Sequence, residues 1–157
     1  MGWSFTVSGS DLTVEALGVF DQGADRLVDS HPVGIWDSTG ANLLAQVTVP
    51  PGTTATLNGG YRFESISPIA LLAGVTYVIG AYYPGIASLT APQDDIILLS
   101  TQTYAGITFV QSRQSLLEAA GSFVFPNLDA SVSQGAFGPN FEFLEATATP
   151  EPSRLAG

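Results

Sequence analysis

A chain of 157 residues suits one domain, and its content of 45% hydrophobic and 11% charged residues excludes an intrinsically disordered protein. A net charge of −10, with only four basic residues, excludes a protein that binds nucleic-acid phosphates or anionic lipid through clustered basic side chains. The lack of cysteine excludes disulfides and thiol chemistry, and no apolar run reaches the roughly 18 residues of a membrane-spanning helix.

Short strands separated by turn residues are predicted through the first half of the chain. Asn58-Gly59-Gly60 is typical of a tight hairpin, because Asn-Gly sequences tolerate positive φ. Ser67-Pro68 is expected to end a strand, whereas the continuously apolar Thr76–Tyr83 predicts a strand buried on both faces. The other strands predicted in this half are Trp3–Ser8, Leu12–Phe20, Val33–Asp37, Leu43–Val49, Thr53–Leu57, Tyr61–Ile66 and Ile69–Leu72.

The second half of the chain continues this pattern. Only Ser112–Ala120 has helical character, and it is too short to be stable without packing. Many short strands with turns between them predict an all-β fold, an antiparallel β-sandwich or jelly roll with at most one short helix. We expect a single domain over residues 1–146 and a flexible tail over residues 147–157. The remaining predicted strands are Ile96–Leu99, Ile107–Ser112, Ser122–Phe125, Ala130–Ser133 and Phe141–Ala146.

Several segments together resemble a β-sandwich domain of secreted bacterial proteins that carry the PEP-CTERM sorting signal. The resemblance covers Leu17 to Ser153 and rests on LGVFD, SHPVGIWDSTG, LLAQVTVPPGT, YRFESISPIAL, LAGVTYVIGAYYP and GPNFEF. Pro150, Glu151, Pro152 and Ser153 resemble the start of the sorting signal, whose apolar helix and basic end do not follow here. The resemblance implies export, retention at the cell envelope or in extracellular matrix, and no catalytic residues. Arg26 stands where the domain usually has a small residue.

The candidate catalytic residues are few. Asp29, Ser30 and His31 are consecutive, and adjacent residues rarely converge as an orienting acid, nucleophile and base must. We therefore interpret His31, the only histidine, as a residue that caps a turn or bonds a backbone carbonyl. The doublet Asp94-Asp95 is interpreted as a pair of solvated loop acids. No enzyme activity and no required cofactor are predicted.

A calcium site is the one metal centre that the sequence suggests. Asp21, Asp25 and Asp29 are spaced by four residues in a glycine-containing loop, and calcium binds carboxylate and carbonyl oxygens. The order of an EF-hand is missing, and Arg26 is a competing candidate that would neutralise the loop by pairing with Asp25 or Asp29.

Aromatic side chains offer a second kind of site, since a flat ring with a polar edge stacks well on a sugar. Trp36 and Tyr77 are expected in the core. Tyr82 and Tyr83 are expected to face opposite sides of their strand, and Tyr83 is the candidate ligand-binding residue.

Three functions remain open at this point. The first is a non-enzymatic structural or adhesion domain, extracellular or at the cell envelope, which self-associates through long uncharged strands that lack the usual protective lysine. The second is a carbohydrate-binding module for extracellular polysaccharide, and the third is a polysaccharide hydrolase that uses paired carboxylates. The chain starts Met1-Gly2 and then alternates at once, so no signal peptide is recognised, and composition favours an exported protein whose signal has been removed.

Overall fold

The computed structural model describes residues 1–84, 99–100, 103–115, 122–130 and 135–146. Over these ranges the chain is built from strands, and the only helical element there is a three-residue 3-10 turn at Gln22–Ala24. The strands are β1 (Gly2–Val7), β2 (Leu12–Phe20), β3 (His31–Asp37), β4 (Leu43–Val49), β5 (Thr56–Asn58), β6 (Tyr61–Leu71), β7 (Thr76–Ala81), β8 (Leu99–Ser100), β9 (Ile107–Gln114), β10 (Leu128–Asp129), β11 (Gly135–Ala136) and β12 (Pro139–Glu145).

Two antiparallel sheets pack face to face, which confirms the predicted β-sandwich. The larger sheet has the order β10-β9-β1-β7-β3-β4, and the smaller has the order β12-β2-β6-β5. A separate two-stranded ribbon pairs β11 with β8. β7 lies between β1 and β3, and its residues from Tyr77 to Ala81 are buried, as its continuous apolar sequence predicted.

The core between the sheets is formed by alternate residues of each strand. Phe5 and Ile79 from the larger sheet face Leu17 and Val19 from the smaller sheet, and all four are fully buried. Trp3 joins the two sheets, because its Nε1 donates a hydrogen bond of 2.8 Å to the carbonyl oxygen of Pro139. Aromatic rings fill this end of the core, and the Phe5 and Phe141 ring centroids are 4.9 Å apart.

The outer face of the larger sheet carries a row of glycines on three neighbouring strands. Gly80 of β7 lies opposite Gly2 of β1 on one side and opposite Gly34 of β3 on the other. Because Gly34 and Gly80 lack side chains, another segment can approach the outer face closely there, and we call this area the trough. The segment 122–127 covers this trough: a Cβ atom at Gly34 would lie 3.0 Å from the Phe123 ring, and one at Gly80 would lie 3.0 Å from Pro126.

Trp36 is 5% exposed, so its predicted burial is confirmed, but it is not in the core between the sheets. Val33 and Ile35 of the same strand point inward, and Trp36 therefore points to the outer face. Its ring centroid is 5.2 Å from that of Phe123 and 5.9 Å from that of Phe125. The covering segment, and not the second sheet, buries this tryptophan.

Three local predictions are corrected by the structure. Ser67-Pro68 does not end a strand, because β6 runs through both residues and a register shift against β2 falls beside Pro68. The strand predicted at Thr53–Leu57 is reduced to β5, which starts only at Thr56. Ser122–Phe125 forms no strand, since its aromatic side chains are used to cover the trough.

The helical prediction for Ser112–Ala120 is wrong at its start, because Ser112 to Gln114 belong to β9. Ser112 is the register partner of Trp3 in β1. Pairing with β1 in the sheet therefore overrides the weak helix propensity of this segment. The rest of that segment from residue 116, the tail from residue 147 and the doublet Asp94-Asp95 lie outside the described residues.

Candidate functional site

The loop after β2 directs the carboxylate of Asp21 into the protein. Asp21 directly follows Phe20, the last residue of β2, and its side chain is 2% exposed. Arg62, which pairs with Val19 on the neighbouring strand β6, points to the same interior, and its side chain is 5% exposed. The Arg62 Nε donates a hydrogen bond of 2.7 Å to the Asp21 Oδ2. The two charges neutralise each other at one end of the sandwich.

The other donors of Arg62 bond three backbone carbonyl groups. Its Nη1 donates to the oxygens of Thr53 and Ala55, at 3.2 Å each, and its Nη2 donates to that of Ala24 at 3.4 Å. The planar guanidinium therefore joins the loop after β2 to the segment before β5. Since a buried charge needs both a partner and hydrogen bonds, this arrangement holds the two loops in place.

The structure does not bring the three predicted calcium ligands together. Asp21 is turned inward to Arg62, Asp25 is exposed with its Oδ1 accepting the N–H of Arg26, and Asp29 is half-buried. A spacing of four residues would align these side chains on one face of a helix, but this loop makes just one short 3-10 turn. Among the described residues, no three His, Asp or Glu side chains group in a way that could hold a metal ion. The arginine that neutralises Asp21 is Arg62, a partner from another strand that the sequence analysis did not identify.

His31 is a structural residue of the sandwich. It is the first residue of β3, is 2% exposed, and places its Nδ1 3.1 Å from the carbonyl oxygen of Tyr82. The predicted bond to a backbone carbonyl is confirmed, although the residue lies in a strand instead of a loop. The neighbouring Ser30 is exposed while His31 is buried, so these two consecutive side chains lie in different surroundings.

The tyrosine that was predicted to bind a ligand is buried. Tyr83 is 4% exposed and belongs to the core, with its ring centroid 4.9 Å from that of His31. Tyr82 is half-buried, which agrees with the expectation that the two tyrosines face different sides. Tyr77 is a core residue as predicted. Because stacking on a sugar requires an accessible face, the ring of Tyr83 is unsuited to that role.

A surface cleft that the sequence did not reveal has the accessible aromatic ring that Tyr83 lacks. Tyr104 is 60% exposed and packs edge-on against Phe143, with ring centroids 5.2 Å apart. Asn58 closes one side by donating a hydrogen bond of 2.7 Å to Glu142 Oε1. The cleft has a volume of about 570 Å³ and is lined by Glu15, Asn58, Tyr104, Phe141, Glu142, Phe143, Leu144 and Glu145.

No single motif could have revealed this cleft. Its lining comes from β2, β5, β12 and the segment before β9, which are far apart in the sequence and meet only in the folded chain. The exposed tyrosine has no distinguishing local pattern, because tyrosine is intermediate in its tendency to be buried.

The fold defines the class of the protein as an antiparallel β-sandwich. Comparison of the chain with known protein families, curated proteins and solved structures gives no match to any of them. Within the described ranges, no helix has the length and hydrophobicity needed to cross a membrane. The predicted sorting-signal residues Pro150, Glu151, Pro152 and Ser153 lie outside the described residues.

Proposed function

We propose that this chain is a non-enzymatic structural or adhesion domain of the bacterial cell surface or extracellular matrix, and that it self-associates there. The observation that carries the proposal is that ionisable side chains of the kind found in active sites make buried structural contacts in this chain. Asp21 and Arg62 neutralise each other in the interior, and His31 bonds the backbone beside a buried Tyr83. Groups that often perform chemistry in other proteins stabilise the fold in this one, which suits a protein that acts through its outer surface.

The proposed location rests on the sequence. The resemblance to a domain of secreted bacterial proteins and the tetrapeptide Pro150 to Ser153 favour export to the envelope. A net charge of −10 keeps such a domain soluble and away from anionic membrane surfaces.

Sedimentation of the purified chain over a range of concentrations, combined with a glycan array, tests the proposal. We expect reversible self-association and no retention of glycans. A monomer at every concentration that binds a defined glycan would overturn the proposal. Release of new reducing ends from a polysaccharide would overturn it in favour of a hydrolase.

The second candidate is a carbohydrate-binding module, and the cleft beside Tyr104 is the observation that favours it. An accessible ring, the amide of Asn58 and several carboxylates are the groups that stack on sugars and bond their hydroxyls. If this function is correct, Tyr104→Ala removes glycan retention. Val110→Ala, which removes another exposed apolar side chain from β9, should leave retention unchanged.

A further inference from the structure

Strand β4 forms one edge of the larger sheet. β6 of the smaller sheet packs near it, and the side chains of β4 that point away from the core are exposed. β4 pairs with β3 on one side, and among the described residues no strand pairs with its other side. Leu43 is 45% exposed, Leu44 is 38% exposed, and Gln46 and Thr48 are exposed as well. The strand is seven residues long and contains no charged side chain.

The hydrogen bonds around β3 show which backbone groups of β4 face the open side. The carbonyl oxygen of Pro32 accepts a hydrogen bond from Tyr82, on the side of β3 away from β4. Backbone groups alternate sides along a strand, so those of Val33 face β4 and bond its register partner Val47. The N–H and C=O groups of the neighbouring residues Gln46 and Thr48 therefore point outward, where a further strand would bind.

The other edges carry features that discourage pairing with a further strand. β5 and β10 have only three and two residues, and both are too short to offer a long ladder. β12 begins with a proline and contains Glu142 and Glu145, whereas the part of β6 beyond β5 contains Glu64 and Pro68. Among the edges that the structure describes, β4 is the longest that lacks both charge and proline. The part of β9 beyond β10, from Ile107 to Gln111, lacks them too but is shorter.

We propose that β4 is the surface through which two copies of this chain associate, by antiparallel pairing about a two-fold axis at Gln46. Gln46 is the middle residue of β4, and its outward N–H and C=O would bond those of Gln46 in the second copy. Thr48 of each copy then lies opposite Leu44 of the other copy, so the exposed side chain of Leu44 is partly covered. The two larger sheets join into one continuous sheet, an isologous contact that closes on itself. This inference rests on the self-association in the proposed function and gives it a specific surface.

The charge of the chain favours an uncharged edge such as β4 as the contact between two copies. Two molecules of net charge −10 repel each other, and the repulsion is smallest where neither molecule carries a charged side chain. The uncharged β4 is such a place. Salt screens the remaining repulsion, with a Debye length of about 10 Å at 0.1 M. We therefore expect association to strengthen as salt is raised from low to physiological concentration.

Site-specific crosslinking of the full chain tests the contact directly. The chain has no cysteine, so Gln46→Cys introduces a unique thiol close to the proposed axis. A short thiol-to-thiol crosslinker should convert this variant to a covalent dimer, because opposite Cα atoms in such a pair are about 5.5 Å apart. Thr56→Cys, on the exposed edge strand β5 of the smaller sheet, is the matched control and should crosslink several times more slowly. Equal rates for the two variants would overturn the proposal.

A second pair of variants separates this surface from self-association in general. Gln46→Lys places two like charges opposite each other at the axis and should raise the dissociation constant at least about fivefold, whereas Thr56→Lys adds the same charge without effect. The melting temperature of each variant reports whether it folds. If the chain self-associates but Gln46→Lys and Thr56→Lys behave alike, β4 is not the contact and the proposed function stands. If the unsubstituted chain stays monomeric at all concentrations and salts, both this contact and the proposed self-association are wrong.

Discussion

The Arg62 Nε donates a hydrogen bond to the Asp21 Oδ2 across 2.7 Å, between side chains that are only 5% and 2% exposed. The partners are 41 residues apart and lie at the start of β6 and just after β2. Removing two charges from water is costly, and here the cost is offset by the ion pair together with the bonds from Arg62 to backbone carbonyls. Each partner is therefore needed to stabilise the other.

Asp21→Asn should lower the free energy of unfolding by about 3–5 kcal/mol, because it leaves the buried charge of Arg62 without a counter-charge. Urea denaturation in the presence of a chelator measures the loss. Asp25→Asn is the matched control, since Asp25 is exposed, and it should change stability by less than about 0.5 kcal/mol.

Asp21→Asn, compared with the unsubstituted chain, also tests the predicted calcium site. If Asp21 acts through Arg62, Asp21→Asn is equally destabilised in chelator and in millimolar calcium. A calcium-dependent rise in the melting temperature of the unsubstituted chain, lost in Asp21→Asn, would instead support the carboxylate loop as a cation site. Calcium that binds only the folded state raises the free energy of unfolding by about 2.7 kcal/mol at a hundredfold excess over Kd, and the melting temperature rises with it.

Trp36→Ala should destabilise the protein by about 3–5 kcal/mol, as large-to-small changes of buried aromatic residues do. The loss arises on the outer face of the larger sheet, where the ring packs against Phe123 and Phe125. Thermal or urea denaturation measures it, with the exposed Val110→Ala as the control. A denaturation midpoint unchanged in Trp36→Ala would show that the segment 122–127 does not cover this face in solution.

Gly40→Ala tests a second contact of the same covering segment, the one between Phe125 and the turn after β3. Gly40 has a φ of 77°, and a Cβ atom there would overlap the ring of Phe125. Gly9 has a φ of 93° with nothing within 4 Å of such an atom, so Gly9→Ala suffers only the backbone strain. Gly40→Ala should therefore be the more destabilised variant by about 1–3 kcal/mol, the usual cost of overpacking. Equal losses in the two variants, measured by urea denaturation, would place Phe125 elsewhere.

Asp37, at the end of β3, should titrate with a pKa of about 2 instead of 3.8. The cause is hydrogen bonding to its ionised form, first from the Thr39 hydroxyl at 2.7 Å and then from the Asn42 amide at 2.6 Å. A folded-state pKa below the unfolded value gives stability that is present above about pH 4 and is lost as the pH falls towards 2.

NMR titration of the Asp37 side chain measures this pKa. Thr39→Val removes the hydroxyl and should raise the pKa of Asp37 towards 3.8, whereas Thr56→Val on β5 should leave it unchanged. Titration of Asp37 near 3.8 in the unsubstituted chain would show that the turn after β3 is open in solution.

The amino-acid sequence by itself determined the fold class and most strand positions, because alternation and turn residues act over a few neighbours. Leu12–Phe20 and Leu43–Val49 have the bounds that were predicted. Gly59 and Gly60 make the expected tight turn, each with positive φ. Burial of Trp36 and Tyr77 also followed from their size and their position in strands.

The tertiary structure alone decided which groups meet. A period of two assigns residues to two faces of a strand but does not say what covers each face, so the outward position of Trp36 under the segment 122–127 was not predictable. The spacing of Asp21 from its loop neighbours gave no hint of Arg62, which reaches it from another strand. Likewise, the sequence of β4 resembles that of an interior strand, and only the order of the sheet makes it an open edge. Contacts between residues far apart in the chain depend on the packing of whole strands, which local patterns do not encode.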